Sequence, residues 1–260
     1  MGFTLSHPAA VLPFVRTPLL PAGLAIGSMV PDLPYFVPIG LTREYTHSPI
    51  GALTADLPLG IACFVLWVFL LRSPLLDFAP AWLRARFVVA GLDRSRVAAA
   101  ALLVGSLLVG IATHLLWDSF THPDGWMAMN IAFLQAQLGP FPLYRWGQYI
   151  SSVAGLIIIA VWAARWVART EKPLAVYSRT TREIRVIAWC VVAGVLVLVA
   201  SATWIRGLLR GLFPLDRILV YDTAVFSIAL SGLVGLLFCL GWYLVPKRPK
   251  SSPPTLPTAS

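Results

Sequence analysis

Charged residues are scarce in this chain: they make up 12% of its 260 residues, whereas 58% of the residues are hydrophobic. Soluble domains carry about 25% charged residues, so this chain lacks the side chains for a fully wetted surface. The net charge of +9 does not indicate a nucleic-acid partner, because the basic residues stand between apolar runs rather than on one amphipathic face. The composition excludes a soluble domain and predicts that the main partner is membrane lipid.

Cysteine and histidine are scarce as well. Cys63, Cys190 and Cys239 lie inside apolar segments without CxxC spacing, which predicts small buried apolar side chains rather than disulfides or zinc ligands. There are four histidines, and none follows His122. No Lys or Arg precedes Arg16, so the N-terminus lacks the basic region of a signal peptide.

Long apolar runs are what the chain does have. A helix needs about 20 apolar residues to cross a membrane. Five segments approach or reach that length: 57–71 (extended back to a cap at Ser48-Pro49), 98–117, 150–168, 186–205 and 224–245. The apolar run 19–30 is short and flanked by prolines, which predicts a re-entrant or interfacial segment. We therefore predict an all-α, polytopic membrane protein with about five transmembrane helices and a partly buried N-terminal helical region.

The basic residues divide unequally among the connections between these segments. Thirteen lie in 72–97, 169–185 and the C-terminal tail, against six in the alternate connections. The positive-inside rule then predicts a cytoplasmic C-terminus and an extracytoplasmic N-terminus in the cell (inner) membrane. The predicted organisation is a helical membrane domain with the candidate metal site (1–168), a transmembrane helix pair (169–246) and a disordered basic, Pro- and Ser-rich tail (247–260).

All four histidines fall on the predicted extracytoplasmic side, together with several aspartates. The candidate metal ligands are His7, Asp32, His47, His114, Asp118 and His122. His114 and Asp118 are four residues apart, which places them on one helix face about 5–6 Å apart at Cβ. Imidazole and carboxylate suit Zn²⁺. Pro123 disfavours helix at His122, which predicts a turn there.

Each of these residues also has an ordinary structural interpretation. His7 could follow a helix cap, and Asp32 could be a turn residue between prolines. Asp118 could mark the water boundary of a span, and His47 could be a wetted residue before a cap. Ionisable groups at membrane depth are costly and usually mark function, so their concentration on one side favours a metal site. Asp56, deeper in the first span, could support the ligands, form an internal hydrogen bond or ligate.

Five short motifs occur in order along the first half of the chain: Phe3-Thr4-Leu5-Ser6-His7-Pro8-Ala9, Gly27-Ser28-Met29-Val30-Pro31-Asp32, Thr46-His47-Ser48, Asp56-Leu57-Pro58-Leu59-Gly60 and His114-Leu115-Leu116-Trp117-Asp118-Ser119-Phe120-Thr121-His122-Pro123. Over residues 1–126 they resemble an uncharacterised bacterial membrane family, the domain of unknown function 4184. In its ligand order that family is similar to predicted membrane-bound metal-dependent hydrolases. More distantly it resembles the zinc-dependent phospholipase C and P1 nuclease group.

The resemblance implies that the six candidate residues ligate metal and that Asp118 bridges two ions. The soluble group adds a further His and a Glu. Here only Gln148 and Tyr149 stand near that place, so we expect one or two zinc ions. The implied activity is hydrolysis of a lipid-like or other phosphoester by a metal-activated water, with Asp56 or Asp124 as the base. The alternative is a non-enzymatic membrane protein with a structural metal site or an ion- or proton-relay role.

Overall fold

The computed structural model describes residues 4–87, 95–170, 178–213 and 217–246, and these are almost entirely helical. Six helices carry the architecture: α1 (Pro21–Gly27), α2 (Pro49–Phe78), α3 (Arg96–Thr121), α4 (Leu143–Arg169), α5 (Arg182–Leu209) and α6 (Arg217–Leu244). The shorter α-helical segments are Pro8–Val11, Leu33–Phe36, Arg43–Thr46, Ala81–Arg84, Trp126–Asn130 and Ala132–Gln135, and Thr4–Ser6, Leu12–Arg16 and Val30–Asp32 are 3₁₀ turns. Strands β1 (Gln137–Leu138) and β2 (Phe141–Pro142) form a small antiparallel hairpin. The predicted tail 247–260 lies outside the described residues.

Helices α2 to α6 are each long and apolar enough to cross a membrane, which confirms the prediction of a multi-pass helical membrane protein with five spans. Their large apolar side chains point outward: Phe69 is 75% exposed and Leu198 is 68% exposed. An exposed apolar surface of this extent is typical of proteins that lie in a membrane. The prediction that all three cysteines are buried is only partly right. Cys239 is buried, Cys63 is half-buried, and Cys190 is exposed on the outward face of α5.

The short helix α1 packs directly on the backbone of α3. With seven residues it is about 10 Å long, too short to cross the bilayer. A Cβ atom on Gly27 would lie 2.3 Å from the carbonyl oxygen of Leu107, and one on Gly110 would lie 2.5 Å from a backbone oxygen of α1. Glycine at both positions therefore permits the close approach. This contact brings the end of α1, with Ser28, beside His114 of α3.

Helix α2 begins at the cap predicted from the sequence. The hydroxyl of Ser48 accepts a hydrogen bond from the backbone N–H of Gly51 at 2.9 Å. A π-helical turn, Ala52–Asp56, follows. Two residues after this turn comes Pro58, which has no N–H to donate and disfavours a regular helix. The wider turn ends at Asp56, whose side chain is buried in the interior.

A buried polar network closes the far end of α2. The carboxylate of Asp77 accepts hydrogen bonds from the backbone N–H groups of Arg179 and Thr180, at 3.0 and 2.9 Å. It also accepts from the hydroxyl of Thr180 at 2.9 Å and from the indole N–H of Trp242 at 2.8 Å. These bonds fasten the end of α2 to the segment before α5 and to the end of α6.

Candidate metal centre

Polar side chains from four parts of the chain meet where α2 begins and α3 ends. The structure brings together all six candidate ligands: His7, Asp32, His47, His114, Asp118 and His122. One comes from the N-terminal turn, one from the 3₁₀ turn after α1 and one from the residue before the α2 cap. The other three come from α3 and the position just after it, where the backbone leaves the helix as expected ahead of a proline.

Four of these residues form the tightest group. Asp32, His47, His114 and Asp118 each offer one ligand atom, and these atoms all lie within 4.8 Å of one another. His47 Nε2 lies 3.3 Å from Asp118 Oδ2 and 3.6 Å from Asp32 Oδ1. His114 Nε2 lies 3.6 and 3.7 Å from the same two oxygens. Ligands on a tetrahedral Zn²⁺ with bonds near 2.1 Å would be about 3.4 Å apart, so the spacing fits one ion.

Two of the imidazole rings present lone pairs to the same point. His114 Nδ1 lies 2.8 Å from the carbonyl oxygen of Ser28, and His47 Nδ1 lies 3.1 Å from the carbonyl oxygen of Arg43. A carbonyl can only accept, so each Nδ1 carries a proton, and in the neutral form of each ring Nε2 keeps its lone pair. The two Nε2 atoms are 3.2 Å apart. Lone pairs and carboxylates at these distances repel each other, and a cation between them removes the repulsion.

The second oxygen of Asp118 faces the other two histidines. Oδ1 lies 3.6 Å from His7 Nε2 and 3.3 Å from His122 Nδ1. It is buried and accepts no hydrogen bond from any described residue. The side-chain N–H of Gln148 donates to His122 Nε2 at 2.8 Å, so in the neutral ring the proton lies on Nδ1, which faces Asp118 Oδ1. The two oxygens of Asp118 therefore serve two neighbouring groups of imidazoles, as a bridging carboxylate would.

His7 is held in its neutral form. Its ring stacks on the ring of His114 with centroids 4.0 Å apart. Burial lowers the pKa of the His7 imidazole to about 4, and the neighbouring His114 adds to the lowering. A neutral imidazole is the form that ligates metal, so His7 needs no deprotonation to bind a cation near neutral pH.

This donor set fits a divalent transition metal such as Zn²⁺. It combines neutral imidazole nitrogens with carboxylate oxygens, the ligands that Zn²⁺ takes in hydrolytic sites. Backbone carbonyls orient two of the rings, as they do for metal-binding histidines in general. Asp32, His47, His114 and Asp118 would hold one ion, and His7 and Asp118 Oδ1 offer ligands for a second, whereas His122 turns a protonated Nδ1 toward Asp118.

Comparison with protein families assigns the chain to a group. Residues 1–243 match the model of a family described as a domain of unknown function, DUF4184. The chain belongs to the DUF4184 family. The match runs well past the motifs in residues 1–126 and includes α4, α5 and most of α6. No match was found among curated proteins or among solved structures.

In this DUF4184 member the centre includes a residue that the sequence analysis counted only as a loop charge. Arg43 Nη2 lies 3.3 Å from Asp118 Oδ2, and Nη1 forms an ion pair with Asp124. Arg43 precedes His47 by four residues on a helical segment, the same spacing that singled out His114 and Asp118. That spacing was a usable signal for Arg43, because a residue four positions from a ligand lies on the ligand's face of the helix.

Two further supports of the centre were also missed. The hydroxyl of Thr4 donates to Asp32 Oδ2 at 2.6 Å. Gln148, considered from the sequence only as a poor substitute ligand, contacts His122 instead. Both come from elements distant in sequence from their partners, so no local pattern indicated them.

The two carboxylates proposed as a base have opposite surroundings. Asp56 is fully buried, and neither of its oxygens accepts a hydrogen bond from a described residue, so the internal hydrogen bond considered from the sequence is not formed. The Asp124 side chain is 50% exposed and is paired with Arg43. Asp124 is therefore open to water and linked to Asp118 through one guanidinium.

Proposed function

We propose that this protein is a membrane-embedded, metal-dependent hydrolase of phosphoesters. The observation that carries the proposal is the convergence of two carbonyl-oriented imidazoles on the carboxylates of Asp32 and Asp118, with one buried Asp118 oxygen left without a donor. Zn²⁺ bound at such a site supplies a coordinated water that ionises near pH 7. One or two ions are accommodated by the donors present.

The residues around the ligands have distinct roles in this proposal. Asp118 would hold the metal together with Asp32, His47 and His114. Arg43 holds Asp124 against the centre and presents a guanidinium that pairs with a phosphoryl oxygen. Asp124 accepts the proton of the attacking water at its exposed carboxylate, a task for which the fully buried Asp56 is poorly placed.

The location follows from the charge distribution of the sequence. We place the centre on the extracytoplasmic side of the cell (inner) membrane and the C-terminus in the cytoplasm, since the connections rich in Lys and Arg alternate with poorer ones. A tag at the C-terminus should be digested by protease only when the cytoplasmic face is accessible. Digestion from the other face would reverse the assignment.

The test begins with the metal content of the purified full-length protein beside His114→Ala and Asp118→Ala. We expect at least one zinc per wild-type chain and almost none in either variant. Thr113→Ala is the matched control, because Thr113 is next to His114 on α3 and bonds only to the backbone of its own helix. Metal absent from the wild type as well as from the variants would overturn the proposal.

A hydrolysis assay on a phosphodiester then tests the catalytic part. We expect Asp124→Ala to keep its metal and to lose at least 100-fold in kcat. A structural metal site is the second candidate, favoured by the burial of His114 at 0% and Asp118 at 4% exposure. Metal that is retained without any hydrolysis, together with unfolding on chelation, would select that candidate.

A further inference from the structure

A large cavity lies between the C-terminal helix pair and the N-terminal region. It has a volume of about 2190 Å³ and is partly open to its surroundings. Pockets for small soluble ligands measure about 300–1,000 Å³, so this space is at least twice as large. Along α6 its lining runs from Leu219 to Leu236, a length of about 25 Å at 1.5 Å per residue. A space of this length among transmembrane helices suits acyl chains.

The cavity has a polar end and an apolar end. Leu230, Leu233 and Leu236 line the part deep along α6. Arg206, in the last turn of α5, and Arg210, the residue after the end of that helix, line the other end. Neither arginine pairs with a carboxylate among the described residues, although Asp222 also lines the cavity. The polar end thus carries an excess of positive charge, which is complementary to a phosphate head group.

The cavity also adjoins the candidate metal centre, and the edge-to-face contact between Tyr35 and Tyr221, which both line it, places the start of α6 beside that region. Thr4 lines the cavity and donates its hydroxyl to Asp32 Oδ2 at 2.6 Å. Met29 and Leu33 line the cavity as well, and they flank the 3₁₀ turn Val30–Asp32 that supplies Asp32. The 3₁₀ turn that carries the candidate ligand Asp32 is therefore flanked on both sides by residues that line the cavity.

We propose that this cavity binds the acyl chains of a membrane phospholipid, with Arg206 and Arg210 holding its phosphate head group beside the metal centre. The inference rests on the proposed function in that the bound lipid is the phosphoester substrate. It assigns the C-terminal helix pair a role in substrate binding, because α5 and α6 contribute both the arginines and most of the apolar lining.

The test is native mass spectrometry of the full-length protein incubated with phosphatidylglycerol or with diacylglycerol of the same acyl chains. If the protein hydrolyses the added lipid, the bound product is added to the amount of that lipid bound. We expect at least fivefold more phosphatidylglycerol than diacylglycerol bound. The double variant Arg206→Ala/Arg210→Ala should bind both lipids equally. Arg182→Ala, at the opposite end of α5, is the control and should keep the preference.

A second variant tests the apolar part. A Cβ atom on Gly232, which lines the cavity, meets nothing within 4 Å, so Gly232→Leu extends into the space without a backbone clash. It should reduce the binding of both lipids at least fivefold. Gly241 also has open space and lies nine residues later, on the opposite face of α6, so Gly241→Leu should change neither.

Metal content measured on the same samples separates this inference from the proposed function. Equal binding of the two lipids by a metal-loaded wild type would overturn the phospholipid site and leave the hydrolase standing. A preference for phosphatidylglycerol that depends on Arg206 and Arg210 in metal-free protein would support the cavity site and count against the hydrolase.

Discussion

Two buried aspartates at opposite ends of the molecule have contrasting surroundings. Asp77, at the end of α2, is 6% exposed and accepts hydrogen bonds from two backbone N–H groups, a hydroxyl and an indole. Asp118, near the end of α3, is 4% exposed, and its Oδ1 accepts none from the described residues. Its other oxygen accepts a hydrogen bond from Arg43 at 3.3 Å and also faces the Nε2 atoms of His47 and His114.

The difference distinguishes a carboxylate that holds the fold from one whose surroundings are compatible with a cation. A buried carboxylate with donors on both oxygens stabilises its neighbours, whereas one without them costs free energy. A protein can retain this free-energy cost at a ligand-binding site, because the bound ligand supplies the missing partner. Burial alone does not separate the two cases; the chemical type of the surrounding atoms does.

The largest effect should come from Asp118→Asn. The substitution keeps the shape and removes the charge, so zinc affinity should fall at least 100-fold, as expected on losing a carboxylate ligand. The metal-free variant should remain folded, because the amide keeps the shape of the side chain and Arg43 keeps its pair with Asp124. Isothermal titration with zinc and thermal unfolding in detergent measure the two quantities.

Chelation provides the internal control for that comparison. EDTA should lower the melting temperature of the wild type and leave that of Asp118→Asn unchanged, because the variant has no bound metal to lose. A variant that binds zinc as tightly as the wild type would mean that Asp118 is not a ligand.

Asp77→Asn should have the opposite profile. The amide nitrogen brings a donor into a ring of donors, and the remaining bonds lose their charge assistance. We expect the free energy of unfolding to fall by about 2–4 kcal/mol, with zinc affinity within twofold of the wild type. Loss of zinc in this variant would show that the two ends of the molecule are coupled and would break the contrast.

The sequence indicated Asp118 and gave no sign of Asp77's role, for a physical reason. His114 and Asp118 are four residues apart on one helix, so their proximity follows from helix geometry. The donors to Asp77 lie about a hundred residues further along the chain or more, and only tertiary packing brings them there. The spans were predictable because hydrophobic length is also a local property.

The geometry of α1 was only partly predictable. Its length and flanking prolines favoured a re-entrant or interfacial segment over a span, and the seven-residue helix agrees with that expectation. The contact through Gly27 and Gly110 requires two segments more than 80 residues apart to be in register, which one sequence does not reveal. Arg43 was missed for a different reason, since its spacing to His47 was visible but its charge was counted only toward orientation.

Gly110→Ala tests how far the centre depends on that contact. The added Cβ would lie 2.5 Å from a backbone oxygen of α1, so α1 must move and Ser28 must leave His114. Zinc affinity should fall about 10- to 100-fold, as on loss of a supporting hydrogen bond to a histidine ligand. Gly105→Ala on the same helix is the control, because its nearest neighbour is a leucine methyl group at 3.7 Å. Equal effects of the two substitutions would indicate general damage to α3.

The smallest expected effects come from two threonines, one of which donates a hydrogen bond to an aspartate at each end of the molecule. Because the two substitutions are matched, they compare the two environments directly. Thr4 donates to Asp32 Oδ2 in the metal centre at 2.6 Å, and Thr180 donates to Asp77 Oδ2 at 2.9 Å. Thr4→Val should lower zinc affinity about tenfold, since the ligand loses its orienting partner. Thr180→Val should leave zinc binding unchanged and reduce the free energy of unfolding by about 1 kcal/mol, because Asp77 keeps its other donors. If both substitutions shifted zinc affinity equally, Asp77 would belong to the support of the metal centre, and the division between a structural and a cation-binding carboxylate would fail.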